Sequence, residues 1–160
     1  MSTSAGRRTF LAHLTLTGLA SLPLASLVLG CARQGLPDGL VDIKWDRDTC
    51  TRCGMVISDR RFAVQLRGGT PQQAFKFDDI GCAVTWLKAQ SWGSEPATRI
   101  WVMDAADMHG NQWLDARTAH YVHGKVSPMA YNYAAIAQAQ AGSLDFNSMQ
   151  QQVLLKEKKA

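Results

Sequence analysis

From residue 55 onward, hydrophobic and polar positions alternate in a way that marks a succession of short elements. Over Met55 to Arg67, Phe62, Val64 and Leu66 alternate with Ala63 and Gln65, the period-two pattern of a half-buried strand. Gly68-Gly69-Thr70-Pro71 reads as a turn, and Gln73 to Phe77 supplies the second strand of a hairpin. Asp78 or Asp79 caps a helix running to about Gln90, in which Ile80, Ala83, Val84 and Leu87 recur at the spacing of one buried face. Ser91 to Pro96 ends it. Arg99 to Asp104 reads as another strand, with Ile100 and Val102 on one side and Trp101 and Met103 on the other.

The order then recurs. Gln112 to Asp115 and Ala119 to His123 read as strands, Tyr131 to Ala141 as a helix closed by Gly142, and Leu144 to Phe146 as a last strand. An amphipathic tail follows from Ser148, with Lys156, Lys158 and Lys159 at the end where cations suit a helix dipole. The prediction is an α+β fold of two small ββαβ-like halves sharing a compact core.

The first thirty residues follow another pattern. Arg7 and Arg8 precede an apolar stretch from about Phe10 to Leu29, a signal-peptide arrangement that ends in Val28-Leu29-Gly30-Cys31. That string resembles a bacterial lipobox, with cleavage between Gly30 and Cys31 and lipid on Cys31. Arg7-Arg8-Thr9-Phe10-Leu11 resembles a twin-arginine export signal. The rival reading is an uncleaved membrane anchor, since the apolar run approaches the ~20 residues a span needs; Pro23, the scattered Ser and Thr, and the terminal cysteine favour cleavage. The predicted organisation is a signal peptide over 1–30, a lipidated N-terminus and tether over 31–44, and a folded domain over 45–160. This places the protein in an extracytoplasmic compartment, attached to a membrane through its lipid.

Composition narrows the functional classes. The 160 residues are 46% hydrophobic and 19% charged, ordinary globular usage. The formal net charge of +4 falls to +2 without Arg7 and Arg8, too little to argue for nucleic acid. No glycine-rich phosphate loop, G-x-S-x-G elbow or H-E-x-x-H is present, and the His, Asp and Ser positions suggest no triad that the sequence alone could assemble.

The body carries Cys50, Cys53 and Cys82, and three thiols cannot all pair within one chain. In an oxidising compartment, where disulfides are the default, an unpaired thiol points to metal or redox chemistry. Cys50-Thr51-Arg52-Cys53-Gly54-Met55 is the densest soft cluster; thiolate and thioether sulfur select Cu(I) over hard cations, and Gly54 lets the backbone turn so that Cys53 and Met55 face one ion. A local Cys50–Cys53 disulfide with a buried Met55 is the alternative. His120, His123 and Met129 form a second set, but His120 and His123, three apart, cannot share a face of a regular strand. Each of these, and the Met108-His109 pair, has an ordinary surface or core reading beside the ligand one. Asp78-Asp79 reads as helix-capping and Cys82 as a buried structural thiol.

In this arrangement the chain resembles NosL, the nitrous oxide reductase accessory protein family of periplasmic copper-chaperone lipoproteins. The matching segments are the lipobox at Cys31; Asp48 to Asp59, containing Cys50, Cys53, Gly54 and Met55; Phe77-Asp78-Asp79-Ile80-Gly81-Cys82; Trp101-Val102-Met103-Asp104; Trp113-Leu114-Asp115-Ala116; and Ser127-Pro128-Met129. The resemblance implies a two-half ββαβ fold related to organomercurial lyase, and binding of one Cu(I) that passes to an apo copper enzyme with a membrane copper-transport or assembly complex as further partner. It gives the ligand role to Cys53, Met55 and Met129, with Cys50 and a histidine, His120, completing the candidate set; His120 stands where the family carries an aromatic residue. A non-catalytic protein is implied. The competing readings are delivery to a different copper enzyme, a thiol-disulfide oxidoreductase or other C-x-x-C enzyme, and a zinc site. An oxidoreductase of thioredoxin type would open a helix with its C-x-x-C, whereas Cys50 and Cys53 precede a strand, and zinc lacks a convincing second Cys/His pair.

The leader generates the first test. Cys31→Ser should abolish lipidation and move the protein out of the membrane fraction without changing copper binding, read by fractionation and by mass spectrometry of the mature N-terminus. A wild-type leader that stays uncleaved and holds the protein in the membrane would favour the anchor instead.

Overall fold

In the computed structural model, residues 36–159 are described. The leader and Cys31 lie outside the described residues. The alternation around Val64 and Leu66 builds β1 (Val64–Gly68), which pairs antiparallel with β2 (Gln73–Phe77), and β2 leads into α1 (Ile80–Lys88). Then come β3 (Arg99–Met103), β4 (Trp113–Asp115), β5 (His120–His123), β6 (Tyr133–Ile136) and α2 (Phe146–Glu157). One antiparallel sheet has the order β2-β1-β3-β4, and β5 and β6 form a second. The α+β class holds.

The first half follows the sequence pattern closely. Val64 lies between Phe77 and Val102, and Leu66 between Phe75 and Ile100, so the alternate positions of β1 form one apolar row. Ile80, Ala83, Val84 and Leu87 of α1 are all buried in the same core. The other sheet face is covered as well. Gln65 is buried, and its amide exchanges bonds with the N–H and C=O of Val41 at 3.0 and 2.8 Å. Ile43 packs beside Ile57, Ala63 and Met103, so residues 41–43, read as the end of the tether, lie against the sheet. The strand expected from Met55 starts late because Asp59 accepts the N–H of Arg61 and folds Arg60–Phe62 into a 3-10 turn.

The second half differs. Tyr131 to Ala141, read as a helix, contains strand β6 instead. Ala130 and Asn132 have φ of 56° and 67°, left-handed values that interrupt a helix at its start. All four residues of β6 are buried, and a short unbroken apolar run has no period by which helix and strand can be told apart. The last strand expected near Leu144 shrinks to a bridge between Leu144 and Tyr121. The helical tail begins earlier than expected, at Phe146, because Asp145 accepts the N–H of Ser148 and caps it; Phe146, Met149 and Val153 are its buried face.

The halves meet where α1 faces the segment before β6. A Cβ added at Gly81 would lie 2.0 Å from the Tyr131 ring, so only glycine admits that approach. Gly81→Ala should therefore destabilise the fold by ~1–3 kcal/mol, the usual range for overpacking, read as a lower urea midpoint with unchanged slope.

Candidate metal centre

The C-x-x-C segment forms a tight turn docked on β2. The N–H of Gly54 donates to the carbonyl of Cys50 at 2.9 Å, the N–H of Cys50 to that of Met55 at 2.8 Å, and the N–H of Thr51 to that of Lys76 at 2.8 Å. Gly54 closes the turn at φ 76° with open space around it, so its requirement is conformational. Lys76 in turn pairs with Asp48. The hairpin thereby sets the turn beside the junction of β2 and α1.

At that junction stand Asp78, on the last residue before the helix cap, and Cys82, in the first turn of α1. One ligand atom each from Cys50, Cys53, Asp78 and Cys82 lies within 4.8 Å of every other. A metal–sulfur bond of about 2.3 Å lets two sulfurs on one ion stand up to about 4.6 Å apart, so the four atoms need only a slight contraction to share an ion. The Cys53 thiol faces both Asp78 oxygens, at 3.5 and 3.6 Å. Cys50 and Cys82 are buried and Cys53 is partly exposed, so the set opens to solvent on the Cys53 side.

The thiols polarise one another. Hydrogen bonding from the Cys82 thiol, and from the backbone N–H groups of Cys53 and Asp78, lowers the Cys50 thiol to about 4. Burial raises Cys53 to about 11, and its hydrogen bond to Cys50 pushes Cys82 well above the ordinary thiol range. Burial, with the neighbouring Cys50, lifts Asp78 to about 6. Among the three thiols the arrangement favours a single thiolate, on Cys50, flanked by donors that a cation would displace.

The two adjacent aspartates have divided roles. Asp79 caps α1 through the N–H of Gly81 at 2.9 Å, as its position suggested. Its other oxygen accepts the Ser127 hydroxyl at 2.6 Å and the N–H of Met129 at 3.2 Å. Met129 is thus brought to the same helix end, half-buried against the core. Met55 is 46% exposed beside Cys53. His120 is on β5 opposite Ile136 and is not in the cluster. His123 is exposed with its ring 4.9 Å from that of Tyr133, and Met108 and His109 are on an exposed loop.

The turn, the Asp-Asp segment and the Ser-Pro-Met segment therefore converge. The NosL family model matches residues 42–150 of this chain. The chain belongs to the NosL family. Among solved structures, it is similar to the crystal structure of the copper chaperone NosL from Shewanella denitrificans, with a TM-score of 0.54 and 16% identity over 72% of this chain and 89% of that one. At that identity the likeness is one of fold. No curated protein matches the chain significantly.

Asp78 and Cys82 escape sequence reasoning. They are 25 or more residues from the C-x-x-C, and their local context, an apolar helical run, has a sufficient explanation in capping and packing. The odd thiol was the available signal.

A depressed folded-state thiol adds stability above its unfolded pKa, and that contribution fades as pH falls toward the folded value. The metal-free protein should show one thiolate at neutral pH, lost only as pH approaches about 4, in a titration of thiolate ultraviolet absorbance. Three thiols all titrating in the ordinary range would contradict this.

Proposed function

We propose that this protein carries one Cu(I) as cargo in the Cys50, Cys53 and Cys82 pocket and hands it to an apo copper enzyme, nitrous oxide reductase. The reading is supported most by one observation, the placement of three sulfurs and a single carboxylate around one point. Soft, polarisable donors in that proportion suit a d¹⁰ monovalent ion better than a hard cation. On this reading Met55, exposed beside Cys53, is the first and last protein donor the ion touches, and Met129 approaches from the loop held by Asp79. His120 supplies a ligand only if the loaded protein rearranges β5.

The likeness to a copper chaperone supports a transfer role over catalysis. An oxidoreductase needs its acidic thiol at the surface for exchange, whereas Cys50 is 2% exposed. We further propose that the protein works in the periplasm, tethered through lipid on Cys31, and receives its ion from a membrane copper-transport or assembly complex.

Full-length protein in detergent, titrated anaerobically against a Cu(I) chelator, should retain about one Cu(I) and prefer it strongly to Zn(II). Cys53→Ser removes a thiolate and Met55→Leu a neutral donor at similar volume, so the first should weaken binding by more than about tenfold (~1.4 kcal/mol) beyond the second, with both variants folded. Zinc held as tightly as copper, or no copper retained, would end this reading.

A further inference from the structure

Arg52 occupies the middle of the C-x-x-C turn, and the soft-ligand reading gives it no task. Its guanidinium stands between the Cys82 sulfur and the Glu157 carboxylate. One terminal nitrogen donates to the Tyr131 hydroxyl at 2.8 Å and is 4.0 Å from the Cys82 sulfur. The other pairs with the carboxylate of Glu157, the last residue of α2, and the Tyr131 hydroxyl donates to the second oxygen of that carboxylate. The Arg52 and Glu157 side chains are each 28% exposed, so their charges act where water screens only in part. A planar fork with a permanent charge can serve both directions; a lysine ammonium carries the charge without the fork.

One Cu(I) on two thiolates leaves a net negative charge, and on three a larger one, beside Asp78. A buried anion of that kind needs a nearby cation. Among the residues around the thiols, Arg52 is the cation whose guanidinium reaches a ligand sulfur. Lys76, the nearest basic residue on β2, is engaged with Asp48 and the carbonyl of Asp42. Lys156 points its ammonium to the carbonyl of Ala130.

Resting on the copper reading above, we propose that Arg52 is the counter-cation of the loaded site, and that Glu157, reaching it from the far end of the chain, sets how much of that charge the thiolates receive. Arg52 favours the loaded state. Glu157 opposes it, because its carboxylate competes with the thiolates for the same guanidinium. Glu157 is therefore a positioning residue that acts through Arg52, and a partner that engages the end of α2 would alter the grip on the ion without touching a ligand.

The two residues make predictions of opposite sign. Under anaerobic chelator competition with the full-length protein, Arg52→Gln should weaken Cu(I) binding by about tenfold, and Glu157→Gln should tighten it by a comparable factor, the scale of one partly screened charge. Arg52→Lys should recover part of the loss. Because Glu157 works through Arg52, the double variant should match Arg52→Gln alone. A purely structural ion pair would instead make both single variants weaker binders with lower urea midpoints, and that result overturns the proposal, as does a Glu157→Gln affinity equal to wild type or additivity in the double variant. If the wild type itself retains no Cu(I), the copper reading and this one fall together; if it does and the signs fail to split, this one falls alone.

Discussion

One buried carboxylate, that of Asp79, joins the parts on which the site depends. It caps α1 with one oxygen and holds Ser127 and Met129 with the other, while Ser127 in turn accepts the N–H of Asn132 at 2.9 Å. Burial raises its pKa, and the donors of Ser127, Gly81 and Met129 work in the opposite direction. A carboxylate in such a place is tolerated only when its lone pairs are filled, and here they are filled from both halves of the chain. The capping bond therefore fixes more than a helix end. It sets the loop that ends in Tyr131 against Gly81, and the Tyr131 hydroxyl there meets Arg52.

The thiol site is assembled from three stretches of chain that meet only after folding: the turn at Cys50 to Met55, the end of β2, and the first turn of α1. Each is held by contacts within the protein. The turn is closed by its own backbone bonds and by Lys76, and Cys82 is carried by a helix whose apolar face is independently buried. A scaffold of that kind holds its donors ready before an ion arrives, which reduces the rearrangement needed to take up or release cargo.

Much of this was readable beforehand, and the failures have physical causes. The strands and helix of the first half announced themselves because one face of each is buried and the other is not, so Val64, Leu66 and the α1 row repeat with a definite period. In β6 the period vanished, since Tyr133 to Ile136 are buried on both sides, and the left-handed residues Ala130 and Asn132 carry no strong local mark. In the site, Cys50 and Cys53 were legible as a local pair. Asp78 and Cys82 were not, because each already fits a local role, and the hairpin that brings them to the turn is a tertiary fact. Arg52, lying inside the motif, drew no notice for want of a partner visible nearby; Glu157 is 105 positions away.

The packing of Val41 on Gln65 and of Ile43 beneath the sheet also fixes where the folded body begins. With a lipid on Cys31, as we propose, nine residues lie between the anchor and Val41, and a fully extended chain across them spans at most about 35 Å. The thiol pocket would then explore a thin layer above the bilayer rather than the volume of the compartment. Encounters with a membrane-bound donor would occur as a search across a surface, at a local concentration set by the leash, and a soluble recipient would have to come to that layer to collect its ion.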